Sequence, residues 1–214
     1  MSNFRTSLQS WINRERHGCI DSTSYTLTPN GSTFALRDKE DCTVANLSEC
    51  LCTDSEGDMR LSQPNNSDAE ILSFDLLLGD LGIQRGRRCD FVVTPQTGDE
   101  YIVFCELTRA QERSVAPFTA RRGDTETKYS KAYNQCWDSI QWCLDKGISF
   151  DECKQKKALF GWRKIKPLRK NKAVENMQRF SRPKGKPNAV HSIVAGFKFQ
   201  MVRYPKVAYL CRKQ

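Results

Sequence analysis

The stretch "RRCDFVVTPQTGDEYIVFCELT", Arg87 to Thr108, decides the reading of this chain. "RCDFVV" and "EYIVFCELT" are rich in β-branched and aromatic residues, which favour strands. "PQTGD" between them puts Pro and Gly where a reversal needs them. The segment therefore reads as a β-hairpin. Its unusual content is one carboxylate in each strand, Asp90 and Glu106. If the turn centres on residue 98, Val92 lies opposite Phe104 and Asp90 opposite Glu106. Directly opposed side chains have Cβ atoms roughly 4.5–5.5 Å apart, and like charges there destabilise the pair unless something positive lies between them. A divalent cation with oxygen ligands meets that need, since Mg²⁺ takes one or two carboxylates and leaves room for phosphate oxygens. The chemistry to expect is metal-assisted attack of water on a phosphodiester.

Outward from the hairpin, "EILSFDLLL" (70–78) reads as a buried strand with a third acid, Asp75, in its middle. Residues 124–145 have the apolar spacing of a helix, through Tyr129, Ala132, Tyr133, Cys136, Trp137, Ile140, Cys143 and Leu144. Asp124 or Thr125 is a suitable N-cap, and Gly147 follows the end. "KKALFGWRKI" (156–165) reads as a further strand, "NKAVENMQRFS" as a short helix, and residues 190–211 as one or two last strands with a turn near Tyr204–Pro205. Before residue 67 the pattern is weak. "FRTSLQSWI" suits a short helix, and "TVANLSECLC" suits a short helix or a strand. Hairpin strands followed by a long helix and another strand imply an α/β chain with a mixed central sheet flanked by helices. We divide it into an N-terminal elaboration of unclear role (1–66) and a core with a basic C-terminal part (67–214).

The order of these acids resembles the PD-(D/E)xK restriction-endonuclease-like superfamily of phosphodiesterases. That signature places an acid at the start of one strand and a second acid some 10–20 residues later, as E-x-K or D-x-K at the end of the next. A helix then packs across the sheet, often turning a Gln or Lys to the site. "CDFVV" with Asp90, "CELT" with Glu106 and "TKYSKAYNQCW" with Gln135 match that order over about residues 70–165. The resemblance implies a restriction-endonuclease-like fold, a nuclease acting on DNA or RNA, and Mg²⁺ or Mn²⁺ held by Asp90 and Glu106, with Asp75 as a further ligand or supporting group. It also suggests roles in defence, repair or mobile-element biology, by analogy of fold alone. The departure is Thr108, which stands where the signature has Lys. Some members move that Lys to the following helix, where Lys128, Lys131 and Gln135 lie along one stripe. The catalytic set expected on this basis is Asp90, Glu106, Lys128, Lys131 and Gln135. Two alternatives stay open. Asp90 and Glu106 are strand-flanking acids paired with Arg87, Arg88 or Arg109, or the fold is catalytically inactive and binds nucleic acid or an acidic protein.

Charge supports a polyanionic partner. The chain of 214 residues has a formal net charge of +9. Residues 154–187 hold 13 Lys and Arg against the single acid Glu175, and residues 188–214 add five without an acid, leaving −8 on the first 153. Such asymmetry favours nucleic acid over a membrane surface. The expected contacts are Arg85, Arg87 and Arg88 in "GIQRGRR", and Lys164, Lys166, Arg169, Lys170 and Lys172 in the basic run. A protein partner or a homodimer stays open.

No apolar run of eighteen residues is present, and the N-terminus lacks the apolar core of a signal peptide, so a cytoplasmic protein is expected. There the ten cysteines should be reduced. Cys42, Cys50 and Cys52, with His17 and Cys19, raise zinc, but one-residue spacings do not match the usual C-x₂₋₄-C pairs. No P-loop, G-x-S-x-G or G-x-G-x-x-G occurs.

Overall fold

A computed structural model describes residues 2–16, 19–39, 41–52, 56–63, 68–83, 88–110, 115, 127–165 and 190–210. Helix α1 (Asn3–Arg16) buries Phe4, Leu8, Trp11 and Ile12, one face at i, i+4, i+7 and i+8. A short 3₁₀ turn, Ser22–Tyr25, leads into β1 (Thr26–Leu27). Then come β2 (Thr33–Leu36), a second 3₁₀ stretch (Val44–Cys50), β3 (Leu51–Cys52), β4 (Met59–Ser62) and β5 (Ala69–Ser73). Helix α2 (Phe74–Asp80) follows directly. The hairpin is β6 (Phe91–Pro95) and β7 (Tyr101–Ala110), and helix α3 (Lys128–Asp145) leads to β8 (Gln155–Lys164). The chain closes with β9 (His191–Ser192), β10 (Lys198–Arg203) and β11 (Val207–Tyr209).

Among the described residues the strands form two mixed sheets. The larger has the order β1-β5-β6-β7-β8-β10-β9, the smaller β11-β4-β2-β3. Strands β5, β6 and β7 run antiparallel, and β8 is parallel to β7 after the α3 crossover. β10 is in turn parallel to β8. The hairpin register is the expected one. Phe91 pairs with Cys105, Val92 with Phe104 and Val93 with Val103, all centred on residue 98. Gly98 sits in the reversal at φ 77°, a left-handed conformation that glycine adopts without a Cβ clash.

β7 is the central strand, and residues 101–107 are all buried. Its even positions, Ile102 and Phe104 among them, face the helices. Its odd positions, Val103, Cys105 and Leu107, face the smaller sheet. On the helical side Phe104 packs edge-on against Phe4, Phe74, Phe150 and Phe197, with ring centroids 5.4–6.3 Å away. On the other side Leu107 and Leu159 meet Leu36, Met59 and Leu61. The first 66 residues thus contribute to both faces: α1 covers one, β2 and β4 the other, and β1 extends the large sheet along β5.

One expected element is corrected. Residues 70–78 are not one strand, because the chain turns into α2 at Phe74. Phe74, Leu77, Leu78 and Leu81 are spaced for a buried helical stripe. The N–H groups of Phe74 and Asp75 donate to the Asp90 carbonyl at 2.8 and 3.3 Å, which ends β5 there. Asp75 accordingly lies in the first turn of a helix. Helix α3 is capped by Thr127, whose hydroxyl accepts from Ser130 N at 3.1 Å. The expected caps Asp124 and Thr125, and the expected helix in 171–181, lie outside the described residues. No helix among the described residues is long and apolar enough to cross a membrane.

Candidate functional site

The backbone entering β6 is held from two sides. From α3, Gln135 Nε2 donates to the Arg88 carbonyl at 2.9 Å, and Ser139 Oγ accepts from Cys89 N at 2.8 Å. From α2, the two N–H groups named above grip the Asp90 carbonyl. Asp90 is half-buried one residue ahead of β6, and its Oδ2 accepts from Leu107 N at 2.6 Å. That bond reaches β7 at the residue after Glu106, beyond the paired ladder, which ends at Phe91 and Cys105. Glu106 is only 8 % exposed, and its Oε2 has no hydrogen-bond partner among the described residues.

Both carboxyls are pushed well above the usual carboxylate range. For Asp90 burial is the largest cause, followed by the charge of Asp38. The Leu107 N–H pulls the other way, Asp75 adds to the rise, and Lys131 opposes it. For Glu106 burial again leads, then Asp90 and Asp38; Lys131 opposes, and Asp75 adds to the rise. Asp38, Asp75, Asp90 and Glu106 therefore form one acidic field, relieved by Lys131 from α3. Lys131 is exposed, as is Lys128 one turn earlier at the start of the helix.

Asp38 was not singled out from sequence, where it is one charge among several in "RDKE". Its position is set by Asp58, which is fully buried. Asp58 Oδ2 accepts from Asp38 N at 2.9 Å, and its Oδ1 accepts from Arg109 Nε at 2.6 Å. Arg109 thus points to the smaller sheet, away from Glu106, while half-buried Thr108 shares the Glu106 face.

A cleft of about 410 Å³ opens beside Asp90, lined also by Asp38, Asp75, Asp80 and Arg88. Asp75 is in an ion pair with Arg88, Oδ1 to Nε 2.7 Å, and Arg88 is 3 % exposed with its Nη1 donating to the Ile83 carbonyl. Arg88 is therefore a wall of the cleft and an anchor of α2. Lys164 is exposed at the last residue of β8. Arg85, Arg87, Lys166, Arg169, Lys170 and Lys172 lie outside the described residues.

Among the described residues no three His, Cys, Asp or Glu side chains come together as a metal cage. A cation of lower demand asks for fewer protein oxygens. One orphaned carboxylate oxygen, a second acid across the hairpin and an excess of negative field suit Mg²⁺ or Mn²⁺, which complete their shell with water and substrate oxygens. No family model, curated protein or solved structure matches the chain.

Proposed function

We propose that the chain is a metal-dependent nuclease with a restriction-endonuclease-like core, acting on DNA or RNA phosphodiesters. The observation that carries this reading is the half-buried Asp90 and the buried Glu106 at the open end of one hairpin, with the charge of Lys131 on α3 acting on both. Acids whose proton affinity is raised by burial and by neighbouring charge, with one of them at a cleft, are candidates for a functional site. The order of strand, acid, hairpin, acid, helix and parallel strand is also the order that the superfamily resemblance implies.

In this reading Asp90 and Glu106 hold Mg²⁺ or Mn²⁺, which when bound would polarise the phosphoryl oxygen and acidify a water. Leu107 N–H fixes Asp90 so that one carboxylate oxygen stays directed to the site. Lys131 supplies the positive charge that Thr108 cannot. Gln135 acts through the backbone at Arg88, setting where Asp90 begins. Asp38 enlarges the negative field that attracts a cation. The basic run after residue 165 holds the phosphate backbone by charge.

Thr108 and the absence of a three-donor cage among the described residues favour a second reading, a nuclease-fold protein that binds nucleic acid without cutting it. One assay separates the two. Labelled single- and double-stranded DNA and RNA are incubated with Mg²⁺ or Mn²⁺ and either wild type or the Asp90→Ala/Glu106→Ala double variant. Cleavage by wild type alone is expected. Salt-sensitive binding by both proteins without cleavage by either would establish the binding reading instead.

A further inference from the structure

Cys42 and Cys50 meet on the wall of the cleft that holds Asp90, Sγ to Sγ 3.3 Å. Their backbone positions are fixed by bonds that do not involve the thiols. Cys42 N donates to the Lys39 carbonyl at 3.1 Å, and Arg37 N donates to the Cys50 carbonyl at 2.9 Å. Thr43 and Asn46 close a capping box at the start of the 3₁₀ stretch between the two cysteines. Cys42 is half-buried at the cleft, and Cys50 is 1 % exposed behind it. The Sγ–Sγ separation of 3.3 Å is about 1.3 Å longer than a covalent S–S bond. It is shorter than the roughly 3.8 Å that tetrahedral zinc imposes between two thiolates.

We propose that Cys42 and Cys50 are a reversible dithiol–disulfide pair, oxidised by hydrogen peroxide, built into the wall of this cleft. Cys42 is the sulfur that peroxide reaches. Its thiolate attacks one peroxide oxygen and the O–O bond breaks. Hydroxide leaves, takes a proton and becomes water, and Cys42 is left as a sulfenic acid. Cys50 Sγ then attacks Cys42 Sγ. The S–S bond forms, the S–O bond breaks, and the oxygen departs as a second water carrying the Cys50 proton. Two thiols lose two electrons and two protons, and peroxide becomes two waters. Burial, with the neighbouring Cys42 thiol adding to it, pushes the Cys50 thiol up, which suits the resolving role rather than the first attack. This pairing does not depend on the nuclease reading.

The test is made on the full chain. After peroxide treatment the remaining thiols are alkylated and the protein is cut, without reduction, by a protease specific for Glu. Residues 41–49 and 50–56 then fall in separate peptides, with Cys42 in one and Cys50 and Cys52 in the other. The expected product is the two peptides joined, about 2 Da lighter than the sum of the free thiol forms, and separated again by dithiothreitol. The link should persist in Cys52→Ser and vanish in Cys42→Ser. In Cys50→Ser, dimedone should trap the Cys42 sulfenic acid. The proposal is overturned if both thiols are alkylated after peroxide. It is overturned equally if the link survives in Cys50→Ser and is lost in Cys52→Ser, or if one zinc per chain is held by these thiols.

Discussion

Glu106 holds its charge under poor conditions: 8 % exposed, one oxygen without a partner among the described residues, and Asp90 in the neighbouring strand's approach. In the folded chain its carboxyl binds a proton more readily than in the unfolded chain. Stability is therefore greatest where both states hold that proton, and it declines as pH rises from the ordinary carboxylate range near about 4 toward the raised folded value. Glu106→Gln keeps the shape and removes the charge. At pH 7.5 the variant should melt about 2–4 °C above wild type, with the difference disappearing near pH 4, as read by thermal unfolding across pH. Adding Mn²⁺ should raise the wild-type Tm at pH 7.5 and leave the variant unmoved. A variant that melts lower than wild type in metal-free buffer would mean that the carboxylate is already satisfied by a protein cation. At this scale the sequence was informative where residue type and spacing coincide, as for Asp90 and Glu106. It was silent on Asp38, because what places Asp38 is the hydrogen bond its N–H donates to a buried acid twenty residues away.

The strands carry a different lesson. β7 and β8 run side by side, with Leu107 opposite Gly161. Gly161 lies where the large sheet meets the small one: a Cβ there would fall 2.6 Å from Leu107 Cδ2 and 2.7 Å from Met59 Cβ. Gly161→Ala should therefore push the two layers apart and destabilise by about 1–3 kcal/mol, measured as a lower urea midpoint. An unchanged midpoint would mean that β4 yields freely. The hairpin was legible because β-rich runs flank a turn that contains Gly98. The run 70–78 was not, since nine apolar-rich residues suit a buried strand and a buried helix equally, and only the bonds to the Asp90 carbonyl decide between them. The smaller sheet was legible only in its last strand and, as one of two options, at Leu51–Cys52, for another reason. Its strands are two to four residues long and owe their form to partners distant in sequence.

Across the whole molecule, charge and fold divide the work. The acidic field lies in the first 153 residues, and the strongest basic run follows Lys164. If that run holds a nucleic-acid backbone, neutralising Lys166, Arg169, Lys170 and Lys172 together should weaken binding at least tenfold near 50 mM salt. It should also reduce the slope of log K against log salt by about 0.7–0.9 for each phosphate that is no longer neutralised. Fluorescence anisotropy with a short labelled duplex and a single strand measures both. An unchanged slope would place the backbone-holding cations elsewhere. The asymmetry itself was plain from counting residues; which of those cations face a ligand is a matter of tertiary structure.

The smaller sheet also sets a schedule. β11 pairs in parallel with β4, a partner made on the order of 150 residues earlier, so this edge is among the last that folding can complete. At ribosomal speeds of about 5–20 residues per second, β4 waits roughly 7–30 s for β11 to be synthesised. During that interval Arg60, Leu61 and Ser62 present an open strand edge. The nascent chain is then most exposed to pairing with the wrong strand, and holding that edge apart is where a chaperone would contribute most.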